Sequence, residues 1–326
     1  MILVTGGAGY VGSHFVREYS RRKSASELVV IDNLSEGHEQ AATSAGAHFV
    51  NCSIGDQEKL SQVFSKHEIE AVVHFAASAY VGDSQEHPFK YLHNNVVQSI
   101  NLFEAMERHK IRRIVFSSTC ATYGVPEYVP LDEKHPQRPV NVYGNTKLII
   151  EQILHSLAQT KEWSFVALRY FNAAGADKDG GIGESHEPEP HIVPRALKAA
   201  LGTLSHVDIL GDDYETRDGT CIRDYIHVTD LAAAHLSALN LLKEKPISEC
   251  INLGTEYGAS VKEVVNICQE VTGRKVPFRI APRRFGDPPV LVANNAKAKS
   301  VLSWQPEYDL KRIVETAWSW EKDRRY

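Results

Sequence analysis

The sequence predicts an α/β fold: a doubly wound parallel sheet followed by a smaller mixed α/β lobe. Three observations carry this. Short β-branched runs alternate with longer amphipathic stretches through about residue 170, the first run leads into a glycine-rich turn, and the texture becomes irregular after Phe171.

Taken in order, Ile2, Leu3 and Val4 read as a buried parallel strand that runs straight into GGAGYVG. Gly6, Gly9 and Gly12 suit a tight turn, a close backbone approach to a pyrophosphate, and close packing of helix on strand. The helix that starts near Tyr10 turns its free N–H groups toward such phosphates. A second apolar run, Leu28 to Ile31, ends in Asp32, twenty residues after Gly12. An acid there accepts hydrogen bonds from adenosine ribose hydroxyls and repels a 2′-phosphate, which predicts NAD rather than NADP in a Rossmann-like site. Further strands are expected at 48–50, 71–75, 113–117 and 165–169, with helices near 10–22, 57–67, 88–109 and 143–160. The stretch AAGADKDGGIGESHEPEPH, rich in Gly, Pro and acid, reads as a long surface loop opening the second lobe. We therefore expect a dinucleotide domain over 1–171 and a substrate lobe over 172–326. Segments near 221–230 and 250–254 are read as strands returning to the large sheet.

Lys and Arg number 36 against 41 Asp and Glu, a net charge of −5 that gives no reason to expect nucleic acid or an anionic membrane as partner. With a strand beginning at Ile2 and no long apolar run, neither a signal peptide nor a membrane span is expected, and the location expected is cytoplasmic. Cys52, Cys120, Cys221, Cys250 and Cys268 are odd in number and widely spaced, as reduced, mostly buried thiols are. Among 15 histidines no HxxxH or HxH pair stands out beside a carboxylate, so no metal is expected.

YGNTK, residues 143–147, opens an amphipathic helix and puts Tyr143 and Lys147 on one face. A cation beside a phenol favours phenolate, and such a tyrosine can act as a general base. By itself the pair also fits an ordinary helix surface. The apolar run ending in Ser117, Ser118 and Thr119 points hydroxyls into the crevice where such sheets bind ligands.

TGGAGYVG, HFAA at 74–77, NNV at 94–96, SST…YG at 117–124, YGNTK and RYFN at 169–172 resemble the extended short-chain dehydrogenase/reductase superfamily. GDDYETRDGTCIRDYIHVTDLAAAH at 211–235 and APRRFGDPP at 281–289 resemble its UDP-galactose 4-epimerase family. The resemblance implies interconversion of UDP-glucose and UDP-galactose on firmly held NAD, in a homodimer joined through the helices near 88–109 and 143–160. It makes Thr119 the hydroxyl partner, Tyr143 the base and Lys147 its companion. It carries NAD contacts onto the turn at Gly6, Gly9, Tyr10, Val11 and Gly12, and onto Asp32, Asn33, Ser53 and Ile54. Phe75, Ala76, Asn94, Ser117 and Tyr170 complete that set, with Tyr143 and Lys147. For the UDP-sugar it implies Asn172, Arg223, Arg284, Asp287 and Leu291, the backbone around Ile192 and Leu210, and Thr119 and Tyr143 themselves. Two guanidinium groups suit a diphosphate, and Asp287 suits ribose hydroxyls. Arg223 and Arg284 suit equally a structural ion pair with Asp224 or Asp287.

Two departures concern cofactor retention. Ser53 stands where many relatives have an Asp for the adenine amino group, and Ala79 where some have a lysine for the nicotinamide ribose. Cys120 and Ala121 replace the Asp-Glu pair that a nucleotide-sugar dehydratase needs. The readings that stay open are an epimerase of N-acetylated, pentose or uronate UDP-sugars, such a dehydratase, and a non-enzymatic NAD sensor.

Overall fold

The computed structural model describes residues 1–284 and 286–326. Seven strands, β1 (Ile2–Thr5), β2 (Leu28–Asp32), β3 (His48–Asn51), β4 (Ala71–His74), β5 (Arg113–Thr119), β6 (Ser164–Tyr170) and β7 (Ser248–Leu253), make one sheet. Their order is β7-β6-β5-β4-β1-β2-β3, with every neighbouring pair parallel. The order reverses between β1 and β4, and a crevice opens beyond their carboxyl ends. The strands read as continuous apolar runs because helices cover both faces. On one face Phe15, Val16 and Tyr19 of helix Tyr10–Arg22 pack with Leu231, Ala234 and Leu239 of helix Val228–Glu244. On the other, Leu60, Leu102, Met106, Ile150 and Leu154 come from helices Gln57–Lys66, Gln98–Arg108 and Val142–Lys161.

The second lobe has its own core. Helices Ile192–Leu201, Val261–Thr272 and Leu310–Lys322 pack around strand Val207–Leu210, which pairs in parallel with Phe278–Ala281.

Two expectations need correction. The 250–254 segment does join the large sheet, through β7, but the 221–230 segment does not. Ile222–Arg223 pairs with Ala259–Ser260 and Val290–Leu291, while Tyr225–His227 pairs with Asn172–Ala174. Beside β6 the sheet carries β7, and after Tyr225–His227 the chain meets the sheet through helix Val228–Glu244, which packs on its face. The helix expected at 88–109 is likewise not uniform: a turn over Pro88–Tyr91 leads into a π-helical stretch, Leu92–Val97, before helix Gln98–Arg108. That widened stretch carries Asn95, whose amide takes the Ser78 N–H at 2.8 Å and donates to Thr146 Oγ1 at 3.1 Å, tying the loop after β4 to helix Val142–Lys161. Among the described residues no helix is long and apolar enough to cross a membrane.

Candidate active site

A cavity of about 880 Å³ lies over the carboxyl ends of β1, β4 and β5. The Thr5 carbonyl at the end of β1 accepts the N–H groups of Phe75 and Ala76 at 2.9 and 3.1 Å, which draws the two loops together. The glycine turn fits a dinucleotide on stereochemical grounds. Gly6 has φ +69° and a Cβ there would lie 2.5 Å from Ala76 N; a Cβ on Gly12 would lie 2.2 Å from Gly6 O. Both positions are demanded by the chain itself. A Cβ on Gly9 would approach nothing nearer than Gly6 O at 3.4 Å, so the room at Gly9 serves whatever enters the cavity. Tyr10, Val11 and Gly12 follow at the start of the helix, where backbone N–H groups are free to meet phosphate oxygens.

Asp32 lines the same end. Its Oδ2 accepts the Ala8 N–H at 3.0 Å and its Oδ1 the Leu34 N–H at 2.9 Å, so the carboxylate is held in place on the cavity wall. Burial raises its pKa and these N–H groups oppose the rise. Asn33, Ser53 and Ile54 line the cavity beside it. The Ser53 hydroxyl is already engaged, donating to Gln98 Oε1 at 3.0 Å and accepting from Gly55 N–H at 3.1 Å. Gln98 is a lining residue that sequence reasoning missed, because only the fold brings its helix to β3's loop.

At the other end, Asn141 caps helix Val142–Lys161, its Oδ1 accepting the Gly144 N–H at 2.7 Å. The first turn sets Tyr143 near Thr119, the last residue of β5. One turn on, Lys147 Nζ donates to the Ser117 carbonyl at 2.8 Å and lies 5.8 Å from the centre of the Tyr143 ring. The Ser117 and Tyr170 hydroxyls are 2.8 Å apart. Thr119, Tyr143, Ser117, Tyr170, Phe75, Ala76 and Asn94 all line the cavity, while Lys147 stands behind Tyr143.

The electrostatics differ from expectation. Burial pushes the Tyr143 phenol up, Tyr170 adds to the rise, and Thr119 opposes it. Burial likewise pushes Lys147 down to about 7, with Glu151 opposing. The lowered phenol pKa expected from Lys147's cation is therefore not what this arrangement produces alone. Both groups are desolvated, and Glu151 is itself committed to the buried Arg169, at 2.9 and 2.7 Å.

The second lobe supplies the facing wall through Asn172, Arg223, Arg284, Asp287 and Leu291. Arg223 Nη2 donates to Asp287 Oδ1 at 3.0 Å. Asp224 takes no part, since its carboxylate accepts from Thr255, Glu256 and Ala293 instead. Ile192 and Leu210 do not line the cavity. Ile192 opens a helix and packs into the second lobe's core, and Leu210 ends a strand opposite Ala281. Cys120 lines the wall, but burial pushes its thiol up to about 12, unsuited to proton transfer near neutral pH. His186 and His191 also line the cavity, within a group that includes Glu184 and Glu189. The repeated Glu-x-His spacing at 184–186 and 189–191 was the signal for them.

Residues 2–254 match the model of the NAD dependent epimerase/dehydratase family. The chain is 47% identical over 323 residues to UDP-glucose 4-epimerase of Halalkalibacterium halodurans, covering 99% of this chain and 96% of that one. It is 48% identical over 323 residues to UDP-glucose 4-epimerase of Lacticaseibacillus casei, covering 99% and 97%. Its structure is similar to a crystal structure of UDP-glucose 4-epimerase from Brucella ovis in complex with NAD, with TM-score 0.94, 48% identity, and 98% and 97% of the two chains covered. With the glycine cradle, Asp32, Thr119 and Tyr143 on one cavity and Lys147 behind Tyr143, the chain belongs to the NAD dependent epimerase/dehydratase family.

Proposed function

We propose that this chain interconverts UDP-glucose and UDP-galactose. The observation that carries the reading is the convergence of Thr119 and Tyr143, backed by Lys147, on a cavity that also holds the dinucleotide cradle. Full-length relatives named UDP-glucose 4-epimerase support it.

NAD suits the site because Gly9 leaves room at the helix start and the oriented Asp32 carboxylate lines the cavity; held by these residues, it would supply a reversible hydride acceptor for the sugar carbon. Tyr143 takes the proton from the sugar 4-hydroxyl, and Thr119 orients that hydroxyl beside it. Lys147, anchored on the Ser117 carbonyl, brings its charge to the phenol and favours phenolate as the proton moves. Arg223 and Arg284 hold the diphosphate, while Asn172 and Asp287 complete the nucleotide contacts. Gripped by its diphosphate, the 4-keto sugar turns about the phosphate linkage, and Tyr143 returns the proton after inversion. Dehydration is disfavoured, because Cys120 and Ala121 offer no acid–base pair next to Thr119.

The protein works as a homodimer in this reading. Phe89, Val97 and Ile100 are 82%, 44% and 37% exposed near or on helix Gln98–Arg108, whose other face already covers the sheet. The five unpaired thiols support a cytoplasmic location.

The test is incubation of pure protein with UDP-galactose and resolution of the products. UDP-glucose without accumulation of reduced cofactor is the expected result. A 4-keto-6-deoxy product or no turnover would reject the proposal.

A further inference from the structure

We propose that Glu184, His186, Glu189 and His191 form a binding site for a single divalent transition-metal ion of the zinc class, separate from the proton chemistry at Tyr143. The four side chains come from eight consecutive residues, and one ligand atom from each lies within 4.8 Å of the others. His186 Nδ1 is 3.2 Å from Glu184 Oε1 and 3.6 Å from Glu189 Oε2. His191 Nδ1 is 2.5 Å from Glu184 Oε1 and 3.4 Å from Glu189 Oε1. Donors bound tetrahedrally to zinc at about 2.0–2.1 Å are separated by roughly 3.3 Å; the contacts at 3.2, 3.4 and 3.6 Å are close to that spacing, with Glu189 offering a different oxygen to each ring, while the 2.5 Å contact of His191 with Glu184 is an ion pair that a bound ion would spread apart.

An independent observation points to an ion at the centre. Glu184 and Glu189 are only 4% and 7% exposed, yet Glu184 Oε1, Glu189 Oε2 and His186 Nδ1 are buried without a hydrogen-bond partner. The two carboxylates and two imidazoles meet one another at the ion-pair distances above without hydrogen-bond geometry, so all four converge on one point, as ligands gathered around a shared ion do. Imidazole with carboxylate suits zinc, and two carboxylates with two neutral rings balance its charge.

Four protein ligands leave no open position, which makes the site structural rather than catalytic. Its place gives it something to hold. The His186 ring lies edge-on to Tyr10 and Tyr80, at 6.3 and 5.6 Å between centres, and the Tyr10 hydroxyl donates to the Gly175 carbonyl at 2.6 Å. The ion would therefore pin the acidic loop of the second lobe against the residue that opens the glycine-turn helix. This inference does not depend on which UDP-sugar is epimerised, or on whether one is.

The experiment uses the full-length protein, stripped with a chelator, dialysed and titrated with Zn²⁺ by calorimetry. One ion per chain and a raised melting temperature are expected, and Co²⁺ in place of zinc should show the visible bands of a four-coordinate ion. His186→Ala with His191→Ala should abolish uptake, and so should the milder pair Glu184→Gln with Glu189→Gln if the first fails to fold. His206→Ala, at a histidine outside the cluster, should bind zinc like the parent. No zinc uptake by the parent, leaving only a cluster of ion pairs, would overturn the proposal. So would uptake that survives both double substitutions.

Discussion

Arg223 and Asp287 are paired with each other, Nη2 to Oδ1 at 3.0 Å, although they are 64 residues apart in the chain. The short strand carrying Arg223 runs parallel to Val290–Leu291, which brings the 281–289 segment to the guanidinium. A diphosphate entering the cavity must therefore share or take over this partner. Arg223→Leu removes a charge-assisted contact of about 1.5–3 kcal/mol and should raise KM for UDP-galactose by roughly 10- to 150-fold, with a smaller effect on kcat. Steady-state kinetics check this. A change confined to kcat would mean that Arg223 does not grip the nucleotide.

Tyr143→Phe keeps the ring and deletes the hydroxyl proposed as proton acceptor. Turnover should fall by about 10²–10⁴-fold while UDP binding stays close to that of the parent. Thr119→Val should be impaired and Thr119→Ser should keep substantial activity. Turnover of Tyr143→Phe near the parent rate would eliminate the proposed base.

Asp32→Ala should weaken NAD binding by about 1.5–3 kcal/mol, through loss of a carboxylate that is already oriented by the Ala8 and Leu34 N–H groups. Equilibrium titration of the stripped protein with NAD measures it. Unchanged affinity, or a parent preference for NADP, would contradict the cofactor assignment.

Leu291 lines the cavity and packs beside Tyr123, Phe171 and Ala293. Leucine is shorter than tyrosine and carries no hydroxyl, so measurable activity on UDP-N-acetylglucosamine is expected beside the main hexose pair. Leu291→Tyr should remove the N-acetylated activity selectively if this wall faces the sugar's C2 group, as the resemblance to the epimerases implies, because the added ring would fill that space. Equal effects on both substrate pairs would show that Leu291 is wall packing alone.

His74 lies in the sheet with Nδ1 2.6 Å from Thr5 Oγ1 and Nε2 3.0 Å from Ser99 Oγ, and burial pushes its pKa from 6.5 down to about 3. The unfolded chain takes up a proton near 6.5 where the folded chain does not, so this histidine's contribution to stability is present at neutral pH. It is lost progressively as pH falls from 6.5 toward 3. Between about pH 7 and about pH 5 the loss amounts to about 2 kcal/mol. His74→Gln should flatten the fall of urea stability with acidification by that order. Parallel pH profiles for the two proteins would assign the acid sensitivity to other groups.

The amino-acid sequence by itself determined the sheet's first six strands, the glycine turn, Asp32, and the Tyr143–Lys147 pair. These depend on contiguous apolar runs, steric limits at glycine and the helical period, all of which act within a few residues. Tertiary structure decided what depends on distant segments meeting. It paired 221–230 with Asn172–Ala174, Ala259–Ser260 and Val290–Leu291 rather than with the large sheet. It paired Arg223 with Asp287 rather than Asp224, kept Ile192 and Leu210 out of the cavity lining, and brought Gln98 to Ser53. It also added the burial that pushes the Tyr143 phenol up and Lys147 down, because the cost of desolvating an ionised group is set by everything packed around it, and a sequence motif records only the neighbours along the chain.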